Sequence, residues 1–234
     1  MKIGIISSSG GSIIHELLSI PELRNRHEFV VVTDRACGTE EVCRQHQIPS
    51  YRIEEDNNYV FGEKLGDYLA TQGEVRFLLL LFVRVISQKI HSQYFTFNIH
   101  PSLLPAFKGF NALKSARLSN VRFLGATLHL VTDEIDEGPI IAQVCAPVAL
   151  GLSHSEMQKI SFIQKTYLSL LLLELMETNE LQVKESKPYF SNPTELLVTA
   201  NACPALRQGP YLEAIKNLEQ TSGIDVFGAT PTFP

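Results

Sequence analysis

The sequence predicts an α/β protein with a Rossmann-like open mixed sheet of about seven strands and helices on both faces. Three observations carry this reading. Strand-length runs such as KIGII (2–6), EFVVVT (28–33) and RFLLLLF (76–82) are almost continuously apolar, as expected of parallel strands covered on both faces. Between them lie segments with helical periodicity, the first placing Ile13, Ile14, Leu17 and Leu18 on one face. Polar or glycine-bearing turns separate the two kinds of segment, beginning with SSSGGS at 7–12.

In chain order, KIGII is the first strand, SSSGGS its turn, and Ile13–Leu18 the first helix. EFVVVT is the second strand, followed by a short helix at 38–46 and a strand at 49–53. Val60, Phe61, Leu65, Tyr68 and Leu69 share one helical face and lead into RFLLLLF. FTFNI (95–99) is a strand ended by Pro101, and a helix is expected over 112–118. GATLHLV (125–131) and IIAQVCAP (140–147) are strands joined by the acidic loop TDEIDEGP, short enough for an antiparallel pair. One long helix covers 153–176. After about residue 186 the composition shifts, so residues 1–186 are expected as the catalytic domain and 187–234 as an extension with one short helix near 209–220.

Composition narrows the function. With 44% hydrophobic residues and a net charge of −5, the 234-residue chain has no basic block, which argues against nucleic acid as a partner. The longest apolar runs, 77–83 and 168–176, fall well short of the ~20 residues that cross a bilayer, so no membrane role is expected. The start MKIGIISSSGG lacks a signal-peptide pattern, consistent with the cytoplasm. Cys37, Cys43, Cys145 and Cys203 lack metal-ligand spacing, so free thiols and no metal are expected.

The chemistry gathers in FNIHPSLLPAFKG (97–109). Ligands collect at the carboxyl ends of strands in open α/β sheets. Asn98 and His100 stand there two positions apart, on one face of their strand. An amide donor and an imidazole so placed could stabilise an oxyanion and move a proton. They could equally be buried groups that fix the turn before Pro101, and spacing alone leaves both open. The acidic loop (Asp133, Glu134, Asp136, Glu137) is either a solvated connection or, with Asp136 near His100, support for an imidazolium. SSSGGS is a plain turn or an anion site at a helix start. Arg84 could bind a carboxylate or extend along the surface, and His129 reads as a core residue.

NIHPSLLPAFKG followed by GATLHLVTDEIDEGPIIAQ resembles the folate-dependent formyltransferase family, most closely its glycinamide ribonucleotide branch in purine synthesis. The resemblance covers about residues 1–185 and is densest over 97–148. It implies a Rossmann-like mixed sheet, 10-formyltetrahydrofolate as formyl donor, and a primary amine, itself phosphorylated, as acceptor. By matching position, Asn98, His100 and Asp136 would be the catalytic triplet. Arg84, Val85 and Ile86 would line one wall of the pterin pocket, and Asp133, Glu134, Ile135 and Glu137 the other. Gly11 and Ser12 would hold the acceptor's phosphate. Three acceptor positions depart from the family pattern: Ile13 replaces an asparagine, Leu81 a glycine and Gln164 a glutamate. These departures keep alternatives in view: another amine such as an amino sugar, hydrolysis of 10-formyltetrahydrofolate, or folate binding without turnover. The chain is expected to act as a monomer or homodimer.

Overall fold

A computed structural model of the protein describes residues 1–149, 151–185 and 187–227. Its first strands and helices follow the predicted alternation, with the short helices α2 and α5 added to it: β1 (Lys2–Ser7), α1 (Ser12–Ser19), α2 (Pro21–Arg26), β2 (Glu28–Thr33), α3 (Gly38–Gln45), β3 (Ser50–Arg52), α4 (Asn58–Thr71), β4 (Phe77–Leu81), α5 (Gln88–Gln93) and β5 (Thr96–His100). The chain continues through α6 (Ala112–Leu118), β6 (Phe123–Leu130), β7 (Ile140–Pro147), α7 (His154–Glu177), β8 (Leu181–Lys184), β9 (Lys187–Phe190), β10 (Ala202–Cys203) and α8 (Gly209–Ser222).

The main sheet has the order β10-β7-β6-β5-β4-β1-β2-β3, and β8 and β9 pair separately. It has one strand more than the seven read from sequence. The addition is β10, whose two residues pair antiparallel with Gln143 and Val144 of β7. No periodic signal exists in two residues, so only the tertiary pairing identifies them.

Contacts divide the chain into two compact units. The first comprises 1–98, 130–139 and 183–188. Within it β1 pairs in parallel with both β2 and β4, and β5 pairs in parallel with β4, bringing Asn98 opposite Leu80. Strands this apolar need cover. Part of it comes from α4, whose Phe61, Leu65 and Leu69 pack with Ile6, Val32, Leu78 and Leu80. Asn57 caps α4 by accepting from the backbone N–H groups of Tyr59 and Val60, the usual use of asparagine at a helix start.

The second unit comprises 99–129, 140–182 and the chain from Tyr189 onward. In it β6 and β7 run antiparallel, as the length of their connecting loop suggested. The long helix α7 starts in a capping box, in which Ser153 and Glu156 satisfy each other's backbone N–H groups. Carboxylates from α7 hold the chain that precedes α8. Buried Glu174 accepts from the backbone N–H groups of Arg207 and Gln208 and from Arg207 Nε, while Glu177 accepts from Tyr211 Oη and Gln208 Nε2. Among the described residues no helix is long and apolar enough to cross a membrane.

Candidate active site

In the first unit, the SSSGGS turn is packed hard against the start of α3. Thr39 donates its backbone N–H and its hydroxyl to Ser9 O (3.3 and 3.2 Å), and its Oγ1 lies 2.8 Å from Ser7 Oγ. Gly11 adopts φ 84°, and a Cβ there would stand 2.9 Å from Thr39 Cα and 2.9 Å from Val42 Cγ2. Backbone conformation and space therefore both require glycine. Gly11→Ala is expected to cost about 2 kcal/mol through left-handed strain plus the clash, read as a lower urea midpoint. An unchanged midpoint would mean that the turn can leave α3 freely.

Gly11 and Ser12, expected to hold an acceptor phosphate, and Ile13, which departs from the family pattern beside them, separate by environment. Gly11 is buried in this turn and Ser12 is exposed at the first residue of α1. Ile13 is only 8% exposed and belongs to the apolar core, so its side chain serves packing and the turn's backbone N–H groups are what remain for an anion. Leu81 ends β4, and its carbonyl accepts from Ser8 N at 3.2 Å, which ties the end of that strand to the same turn.

Arg84 does not project freely. Its guanidinium donates to Asn58 Oδ1 (2.9 and 2.7 Å), to Glu55 O (2.6 Å) and to Asp56 O (2.8 Å), and approaches Asp34 Oδ2 at 3.5 Å. It also lies 5.1 and 5.9 Å from the ring centroids of Phe61 and Phe82, within cation–π range. Five donors are available to an arginine, and this set commits them to the protein. Val85 is exposed and Ile86 buried, so the Arg84–Ile86 segment is anchored at both ends and offers its backbone.

The second expected pterin wall meets this region through side chains. Gln88 Nε2 donates to Asp133 Oδ2 at 3.1 Å, and His91 Nε2 lies 3.4 Å from Asp133 Oδ1. Burial lowers the His91 pKa against the upward pull of Asp133. Along the loop, Glu134, Ile135 and Glu137 are exposed and Asp136 is half-buried. Asp136 has φ 55°, a left-handed conformation that aspartate tolerates better than most residues. Gly138 is obligatory, because a Cβ there would lie 1.7 Å from Leu130 O.

Asn98 is half-buried on β5. In the second unit His100 is 4% exposed, and its Nε2 lies 2.7 Å from Phe107 O. A carbonyl can only accept, so this contact makes Nε2 the protonated nitrogen. The intervening loop is latched by groups that sequence reasoning passed over. Thr127 Oγ1 donates to Ser102 O (2.7 Å) and accepts from Leu104 N (3.0 Å) and from Gln143 Nε2 (2.9 Å). Gln143 Nε2 also reaches Leu104 O at 3.0 Å, and Ser102 Oγ donates to Ala106 O at 2.5 Å. Thr127 and Gln143 are register partners on β6 and β7. Two polar residues opposite each other on core strands were the signal that could have found them.

Gln164, expected to meet the acceptor, is fully buried on α7. Its Nε2 donates to Leu124 O at 3.0 Å, and its Oε1 has no hydrogen-bond partner among the described residues. His129 is buried in β6, in line with a core role.

The sequence profile of the formyl transferase family matches residues 1–169. Phosphoribosylglycinamide formyltransferase of Mycobacterium tuberculosis is 30% identical over 156 residues, 64% of this chain and 73% of that protein. Formyltetrahydrofolate deformylase 2 of Arabidopsis thaliana is 48% identical over 69 residues, 30% of this chain and 20% of that protein. Across the curated relatives it matches, the aligned part spans between 10% and 73% of their length. Among solved structures, glycinamide ribonucleotide transformylase 1 from Symbiobacterium toebii superposes with a TM-score of 0.74 at 25% identity, covering 81% of this chain and 93% of that one.

Proposed function

The chain belongs to the formyl transferase family, and from that premise we propose that it moves the formyl group of 10-formyltetrahydrofolate onto a primary amine, glycinamide ribonucleotide foremost. The observation that carries this reading is His100, buried at the end of β5 with its tautomer held by Phe107 O. In the proposed reaction the acceptor nitrogen bonds to the formyl carbon, and the oxyanion that forms there takes hydrogen bonds from the Asn98 amide and the His100 imidazolium. The bond to the folate nitrogen then breaks. The proton lost by the amine passes to that nitrogen with help from His100 and Asp136. The donor, a co-substrate, would lie between the Arg84–Ile86 backbone and the 133–137 loop, with the Arg84 guanidinium holding the wall rather than the ligand. The acceptor's phosphate would meet the N–H groups after Gly11. This activity is assigned to residues 1–186 and to the cytoplasm, with 187–234 as an extension, in a monomer or homodimer.

A second reading, hydrolysis of the donor, is favoured by the short, higher-identity deformylase match and by the burial of Ile13 and Gln164 away from solvent. One assay separates the two. Release of tetrahydrofolate is followed without acceptor, with glycinamide ribonucleotide, and with a panel of amines including amino sugars. Release that depends on glycinamide ribonucleotide is the expected result. Equal release without any acceptor would replace the transferase by the hydrolase, and no release in any arm would leave only folate binding.

A further inference from the structure

Phe107 stands where two networks meet. Its carbonyl faces His100 Nε2 at 2.7 Å, and its side chain packs on an apolar cluster whose buried members include Leu218 of α8 and Val226, with Ile224 and Phe227 packed on the same cluster. Those four residues lie outside the 1–169 stretch that the family profile matches. They are themselves firmly pinned. Glu219 Oε1 accepts from the N–H groups of Val226 (2.7 Å) and Phe227 (2.8 Å), Asn201 Nδ2 donates to Val226 O (3.1 Å), and the Phe227 ring stacks on Tyr167 of α7 with centroids 4.4 Å apart.

Phe107 needs such support. It has φ 54°, a left-handed conformation that costs a residue with a Cβ on the order of 1–2 kcal/mol and persists only where the surroundings impose it. The hydrogen bonds of Thr127, Gln143 and Ser102 fix the loop up to Ala106 and stop one residue short of Phe107. The ring's packing on the cluster restrains the next carbonyl from the other side.

We propose that residues 218–227 are a positioning element for His100. By seating the Phe107 ring they aim its carbonyl at Nε2 and hold the imidazole in one tautomer and one rotamer. The segment touches no reacting atom in this scheme and acts only through Phe107. The inference rests on His100 being the histidine of formyl transfer, as argued above.

The test uses the full chain labelled with 15N-histidine, with the His100 ring signals assigned by their loss in His100→Ala. Wild type should show the Nε2-protonated tautomer. In Phe227→Ala and Glu219→Ala the signals should move toward a tautomer mixture. In the same variants kcat for formyl transfer should fall roughly 10-fold while KM for the formyl donor stays within about 2-fold, because misplacement affects chemistry more than binding. Phe227→Leu should restore most of both readouts, and Tyr189→Ala, exposed on β9, should change neither. A wild-type tautomer and kcat in both Phe227→Ala and Glu219→Ala, with only melting temperature lowered, would overturn the proposal. If wild type shows no turnover with any acceptor, the functional reading fails, and the tautomer measurement still decides whether 218–227 positions His100.

Discussion

His100→Ala is expected to lower kcat for formyl transfer by roughly 10²–10⁴-fold, with KM for the formyl donor little changed. The size of the effect follows from what the ring does. A carbonyl addition at neutral pH needs charge stabilised on oxygen and a proton delivered to a poor leaving nitrogen, and His100 is assigned both tasks. Asn98→Ala removes only the amide donor and should cost about 10²–10³-fold. The two effects should not add, since both groups are proposed to serve one oxyanion. Burial brings a structural side effect: His100→Ala leaves Phe107 O without its donor, worth about 1–3 kcal/mol. His100→Asn, which retains a short amide donor, serves as the control, and thermal melts of both variants tell lost chemistry from lost fold. Turnover within 3-fold of wild type in a folded His100→Ala enzyme would remove the imidazole from the mechanism.

The legible parts of this protein are those whose signal is local. Apolar runs of five or six residues marked β1, β2, β4 and β5, and the apolar run 168–176 marked the second half of α7. Family matching pointed Gln164 toward a ligand, and the structure has it in the core. Asn98 and His100 were found because a strand end followed by proline is a sequence feature. Short elements escaped: α2 and α5 have six residues each, less than two turns, and β10 has two. The partners of Arg84 escaped for another reason. Asp34, Glu55, Asp56 and Asn58 lie 26 to 50 residues away in sequence, and nothing local marks a guanidinium as already satisfied. The same holds for Phe107 O, a backbone group with no residue-type signature.

Asp34→Ala should destabilise the protein by about 2–4 kcal/mol at neutral pH, because it strips a buried carboxylate from two guanidinium groups. The Asp34 side chain is 1% exposed. Arg35 grips it through Nε and Nη2 at 3.0 and 2.6 Å, and Arg84 Nη1 stands 3.5 Å away. The burden falls unevenly on the two cations. Arg35 is 53% exposed and can turn to water, whereas Arg84 is 14% exposed and must stay, held by one amide and two carbonyls. Desolvation raises the Asp34 pKa, but the hydrogen bonds of Arg35 and then of Ser8, the charge of Arg35 and the smaller contribution of Arg84 together outweigh it and leave the carboxyl below the usual aspartate range. A carboxyl depressed in the folded state contributes stability in full above its unfolded value near 3.9 and loses it as pH falls through the folded value. The urea-unfolding gap between wild type and Asp34→Ala should therefore be widest at pH 6–7 and narrow below about pH 4. Because Arg84 secures the segment running to Ile86, the variant should also raise KM for the formyl donor more than it lowers kcat, the reverse of the His100 pattern. A gap that stays constant from pH 7 to 3.5 would show that packing, not charge, explains the loss. An unchanged KM would separate this buried cluster from the folate wall.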